Sequence, residues 1–147
     1  MIRAGKKPCI VAKKNSSMAK IFNERNMDYF LEDYDEQAVK KTLELIEKDE
    51  YDLICVYNQE YDDVMHRSHP KSKRSQKAID RYSDYFDKLA EHVKKYWTEH
   101  TSLIGYDPDH GSHREWYLLG NHGKNIPQDM NIFHYYGVIN PKQNSSK

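Results

Sequence analysis

Short apolar runs alternate with amphipathic stretches along the chain, and their spacing predicts the elements. The run 8-PCIVA-12 reads as a strand. Asn15, Ser16 and Ser17 follow it as helix caps, with Met18, Ile21 and Phe22 behind them at helical spacing. Residues 28–31 (DYFL) suit a second short strand. From Glu36 to Lys48, Val39, Leu43 and Ile46 share one face of a helix for which Asp35 is the expected cap. The uninterrupted run 53-LICVY-57 predicts a strand buried on both faces, as in a parallel sheet. A polar loop is expected over 58–70. The longest helix is expected over 72–97, with Ile79, Tyr82, Phe86, Leu89, Val93 and Tyr96 inward. A strand at 102-SLIGY-106, a loop over 109–123 and an edge strand at 133-FHYYGVI-139 complete the pattern.

Strands alternating with helices imply an α/β fold with a mainly parallel sheet flanked by helices. No repeat or linker interrupts residues 1–139, which read as one domain, and 140–147 reads as a flexible tail. Charge narrows the function classes. The chain carries 23 basic and 23 acidic residues, so it lacks the basic excess of a nucleic-acid binder. No apolar stretch approaches the roughly 20 residues that span a bilayer, and the N-terminal apolar segment is too short for a secretory signal. Cys9 and Cys55 lie inside apolar runs, as buried reduced thiols do, and a cytoplasmic location is expected.

The chemistry gathers after two of the predicted strands, where open α/β sheets bind ligands. After LICVY comes 61-YDDVMH-66, which offers Asp62 and His66. After SLIGY comes 107-DPDHG-111, which offers Asp109 and His110, and the glycine-flanked 120-GNHG-123 adds His122. Carboxylate and neutral imidazole ligate zinc or manganese, and the flanking glycines let the backbone turn tightly beside an ion or a phosphate. In 112-SHREWYLL-119, His113 and Arg114 are the candidate substrate contacts, and Trp116 could stack on a base.

The ordered set Asp-x-x-x-His, Asp-His-Gly and Gly-x-His-Gly resembles the alkaline phosphatase superfamily. The likeness is to its nucleotide pyrophosphatase/phosphodiesterase and phosphonoacetate hydrolase branch, and it covers nearly the whole chain. The opening AGKKPCIVAKKNSSMAKIF is similar to the segment that follows the nucleophile region in those enzymes. The resemblance implies two divalent ions, zinc foremost and manganese as the alternative. Asp62, His66 and His122 would hold one ion, and Asp109 and His110 the other. It implies a hydrolase acting on a phosphate-ester or phosphonate small molecule, while the charge balance and the lack of a long apolar stretch argue against nucleic-acid and membrane partners. Two departures stand out. Where the family has Gly-Pro after the first motif, this chain has 69-HP-70, and the likeness begins downstream of the family's first metal-binding Asp and its nucleophile.

The expectation is therefore the C-terminal part of an alkaline-phosphatase-like core, with its nucleophile outside the chain. It would associate with itself or with a complementary N-terminal half. The alternative is a non-catalytic metal-binding or regulatory domain that keeps the ligands.

Overall fold

The computed structural model describes residues 1–116 and 119–141. The order of elements confirms a mixed α/β chain, with a smaller parallel sheet than the pattern implied. Strand β1 (Pro8–Lys13) lies between β2 (Asp28–Glu32) and β3 (Leu53–Tyr57), parallel to both. Helix α1 (Ser17–Ile21) and helix α2 (Asp35–Lys48) form the crossovers that parallel strands require. Ser16 caps α1 as expected, its hydroxyl accepting the Ala19 N–H at 3.1 Å.

The backbone gathers into two compact units: Met1–Gln59 with Lys88–Glu99, and Glu60–Asp87 with the described residues from His100 onward. In the first, β1 is buried along almost its whole length because it has a strand on each side. Cys9, Val11, Ala38, Leu45 and Tyr51 form the core, with Phe30 and Ile54 packed against it. Burial pushes the Cys9 thiol up to about 12, so it is an inert apolar filler. β3 is only half-buried, with Leu53 45 % exposed, whereas its unbroken apolar run had suggested burial on both faces. It lies at the sheet's edge, where among the described residues a strand pairs with it on one flank only.

Asp35 is not the cap of α2. Tyr34 holds that position without a side-chain hydrogen bond. Asp35 is buried in the first turn, and its two carboxylate oxygens accept the Gln59 N–H at 3.0 and 2.9 Å. It thus ties the start of α2 to the chain leaving β3.

In the second unit the expected loop over 58–70 contains a helix, α3 (Glu60–His66). Glu60, Asp62 and Asp63 lie in its first turn, where carboxylates offset the exposed N–H groups of a helix start. Helix α4 (Lys73–Tyr96) matches the predicted span, and its residues from Lys88 onward belong to the first unit. Ser72 caps it, accepting the Ser75 N–H at 3.0 Å. Ser75 and Ala78 are fully buried on α4 and Ile79 is exposed, so the inward face is rotated from the predicted one near the start of the helix.

Strand β4 (Ser102–Tyr106) corrects the parallel-sheet expectation. It pairs antiparallel with β7 (Tyr135–Ile139), and a two-stranded hairpin joins β5 (His113–Arg114) to β6 (Gly120–Asn121). Along β4, burial alternates, with Ser102, Ile104 and Tyr106 inward and Leu103 and Gly105 outward. That is the half-buried pattern of an antiparallel strand. Helix α5 (Pro127–Met130) is one turn long. The tail expected over 140–147 lies outside the described residues from 142 onward. No helix among the described residues is long and apolar enough to cross a membrane.

Candidate metal centre

Helix α3 converts the Asp-x-x-x-His spacing into a shared face, because residues four apart lie one turn above the other. Asp62 Oδ1 lies 3.3 Å from His66 Nε2. It lies 3.3 Å from His122 Nε2 as well, although sixty residues of chain separate the two. One ligand atom from each of Asp62, His66 and His122 falls within 4.8 Å of the others.

Two features separate this cluster from an ordinary polar contact. Asp62 Oδ1 is buried and makes no hydrogen bond, although two imidazole nitrogens stand beside it. A buried carboxylate oxygen in that state calls for a partner, and a cation held between the three residues would supply one. The spacing also suits an ion, since a tetrahedron with metal–ligand bonds of about 2.0 Å has edges of about 3.3 Å.

The tautomer of His66 is decided by its other nitrogen. Nδ1 faces the Gly120 carbonyl at 3.2 Å, and a carbonyl only accepts, so Nδ1 carries the proton. In the neutral form the ring then presents its lone pair at Nε2, toward Asp62 and His122. Gly120 makes this contact because it has no side chain. A Cβ there would meet Met65 Sδ at 2.2 Å and the Met65 carbonyl at 2.6 Å, and Met65 is fully buried.

Behind α3, Glu60 pairs with Arg81 and the Tyr61 N–H donates to the Tyr82 hydroxyl at 2.9 Å. These bonds hold α3 against α4. Tyr61 also reaches the loop before β5, where its hydroxyl lies 3.1 Å from Ser112 Oγ.

Asp109 and His110, expected to hold a second ion, are arranged more loosely. Their closest approach is 3.7 Å, and the Asp109 side chain is 67 % exposed. His110 Nδ1 donates to the Gly111 carbonyl at 2.9 Å, which leaves Nε2 facing Asp109. The His110 ring stacks on His122, with centroids 3.8 Å apart and planes at 17°. The two motifs thus meet through their imidazoles. Among the described residues, Asp62, His66 and His122 are the three-ligand cluster.

His113, the other candidate substrate contact with Arg114, lies inside the fold. It is buried, with Nδ1 at 2.8 and 3.0 Å from the two Asp129 oxygens and Nε2 at 3.1 Å from Glu115 Oε1. Both ring nitrogens have side-chain partners. Hydrogen bonds to Asp129, then to Glu115, raise its pKa above the ordinary 6.5. Glu115 is held down to about 2, first by Lys124 and then by His113. Burial pushes Asp129 upward, but the Lys124 backbone N–H and His113 outweigh it, and the net shift is down. Arg114 is exposed on β5, and Trp116 is 78 % exposed.

Asp129, Glu115 and Lys124 had carried no signal. Asp129 lies in a polar stretch without periodicity, Glu115 and Lys124 only adjoin the residues singled out above, and only the fold shows that the three surround a histidine. Compared with family models, with curated proteins and with solved structures, the chain matches none.

Proposed function

We propose that this chain supplies one wall of a two-metal phosphoric-ester hydrolase of the phosphodiesterase, pyrophosphatase or phosphatase type. The observation that carries the reading is the buried Asp62 Oδ1, without a hydrogen bond and equidistant from His66 Nε2 and His122 Nε2. These three residues would hold the first ion, zinc foremost or manganese, and Asp109 with His110 would contribute to a second. Divalent ions in such a site supply Lewis-acid charge to phosphoryl oxygens and lower the pKa of an attacking hydroxyl or water.

The chain's own residues do the rest. The Asp62 carboxylate offsets cationic charge, and the Gly120 carbonyl keeps the proton of His66 away from the ligand face. The exposed Arg114 lies on the hairpin between the two histidine motifs and suits a phosphate or phosphonate oxygen. The ordered motifs of the sequence support the same reading.

Elemental analysis of the purified chain tests it. About one zinc or manganese per chain is expected, lost in both Asp62→Ala and His122→Ala. A wild-type chain that takes up no divalent ion from excess zinc or manganese sinks the proposal.

A second reading, a metal-binding domain without catalysis, draws on the exposure of Asp109 and its loose approach to His110. It expects one ion and no turnover. The hydrolase reading expects a second, weaker ion and hydrolysis of a chromogenic phosphodiester once any complementary segment is supplied.

A further inference from the structure

The two loops that carry His110 and His122 share an anchor. Asp129 is 3 % exposed. Its carboxylate takes His113 Nδ1 at 2.8 and 3.0 Å and the Lys124 backbone N–H at 2.8 Å. Its backbone carbonyl accepts the Gly111 N–H at 2.8 Å. Gly111 follows His110 directly, and Lys124 lies two residues after His122. One residue therefore grips both metal-motif segments just beyond their histidines.

The surroundings reinforce the grip. Gly111 is pressed against the turn that carries Asp129, where an added Cβ would meet the Gln128 carbonyl oxygen at 2.0 Å. Glu115 closes the other side of His113 and takes Lys124 Nζ at 2.6 Å. Between the two arms, His113 and Asn121 pair across the β5–β6 hairpin. Beyond this bracing, the His110 ring stacks on His122.

We infer that Asp129 is a positioning residue which, through His113, Gly111 and Lys124, fixes His122 against His110 and so sets the metal affinity of the Asp62–His66–His122 site. The inference rests on the metal reading above. It assigns to Asp129 no contact with ion or substrate.

The experiment uses two readouts on the full chain. The first is the zinc dissociation constant, from competition with a chromophoric chelator. The second is the set of ring-current-shifted imidazole proton signals of His110 and His122 in the metal-free chain, assigned with His110→Ala and His122→Ala. Asp129→Ala is expected to weaken zinc binding by about tenfold or more, the scale of lost outer-shell support, and to abolish the shifted signals. Asp129→Asn keeps one acceptor oxygen and is expected to show a smaller loss in the same direction. It keeps the test decisive if the alanine variant does not fold. Ser72→Ala, which removes the α4 cap in the same unit without touching either loop, should lower stability and leave both readouts unchanged.

A folded Asp129 variant with wild-type zinc affinity and intact shifted signals overturns the inference. Equal zinc weakening in Ser72→Ala reduces the effect to general destabilisation and overturns it too. Failure of the metal reading looks different. The wild type then binds no zinc, while Asp129→Ala still abolishes the shifted signals, and the claim about affinity falls with the metal site.

Discussion

Glycine and histidine positions make the most direct residue-scale predictions. Gly120 lies against the Met65 backbone and sulfur, so Gly120→Ala forces one of them to move. A loss of about 1–3 kcal/mol is expected in urea unfolding, together with weaker metal binding, because the same carbonyl holds His66. His113 predicts how stability depends on pH. Its pKa is raised in the folded chain, so its contribution is complete below about 6.5 and is lost as pH rises through the folded value. Glu115 works in the opposite sense. Its contribution is complete above about 4.5 and is lost as pH falls toward about 2. Stability should therefore plateau between those limits and decline on both sides. His113→Gln should flatten the alkaline limb in melts taken across pH. The histidines and aspartates of the centre could be named from their motifs, but Asp129 could not, because an isolated Asp in a polar stretch looks like any exposed carboxylate.

At the scale of elements, helix α2 shows how much a repeating pattern decides. Ala38, Val39, Thr42, Leu45 and Ile46 are buried, one stripe along a helix whose existence and length periodicity had predicted. Its precise orientation differs, since Leu45 rather than Leu43 enters the core, and packing against β1 makes that choice. Leu45→Ala should destabilise by about 2–5 kcal/mol, measured by chemical denaturation, because it opens a cavity beside Val11 and Tyr51. At α4, removing the Ser72 cap should lose about 1 kcal/mol in the same assay, since the Ser75 N–H is left without its acceptor. Helix α3 was legible only afterwards. Seven residues are too few for a clear apolar period, and the acidic first turn is the one local signal it carries.

For the whole molecule, balanced charge and exposed apolar surface bear on association. Leu103 and Val138 are paired across β4 and β7, 68 % and 64 % exposed, and Tyr135, Tyr136 and Phe133 are exposed nearby in sequence. A chain of zero formal net charge has little electrostatic repulsion to keep such surfaces apart. Concentration-dependent self-association is expected in sedimentation velocity, reduced in Leu103→Lys or Val138→Lys. A monomer for the wild type at high concentration would count against it.

The sequence by itself determined the α/β character, the positions of β1, α2, β3 and α4, and the three histidine-bearing motifs. These depend on local periodicity and on residue chemistry, which a linear reading retains. The tertiary structure alone decided which motifs meet. It paired β4 with β7 rather than with the parallel strands, turned the Asp62–His66 loop into a helix, and brought His122 onto Asp62 across sixty residues. It also enclosed His113 between two carboxylates that no spacing relates. The reason is physical. Strand partners and side-chain clusters are selected by burial and by the pairing of polar groups across long separations, and neither leaves a periodic trace in the chain.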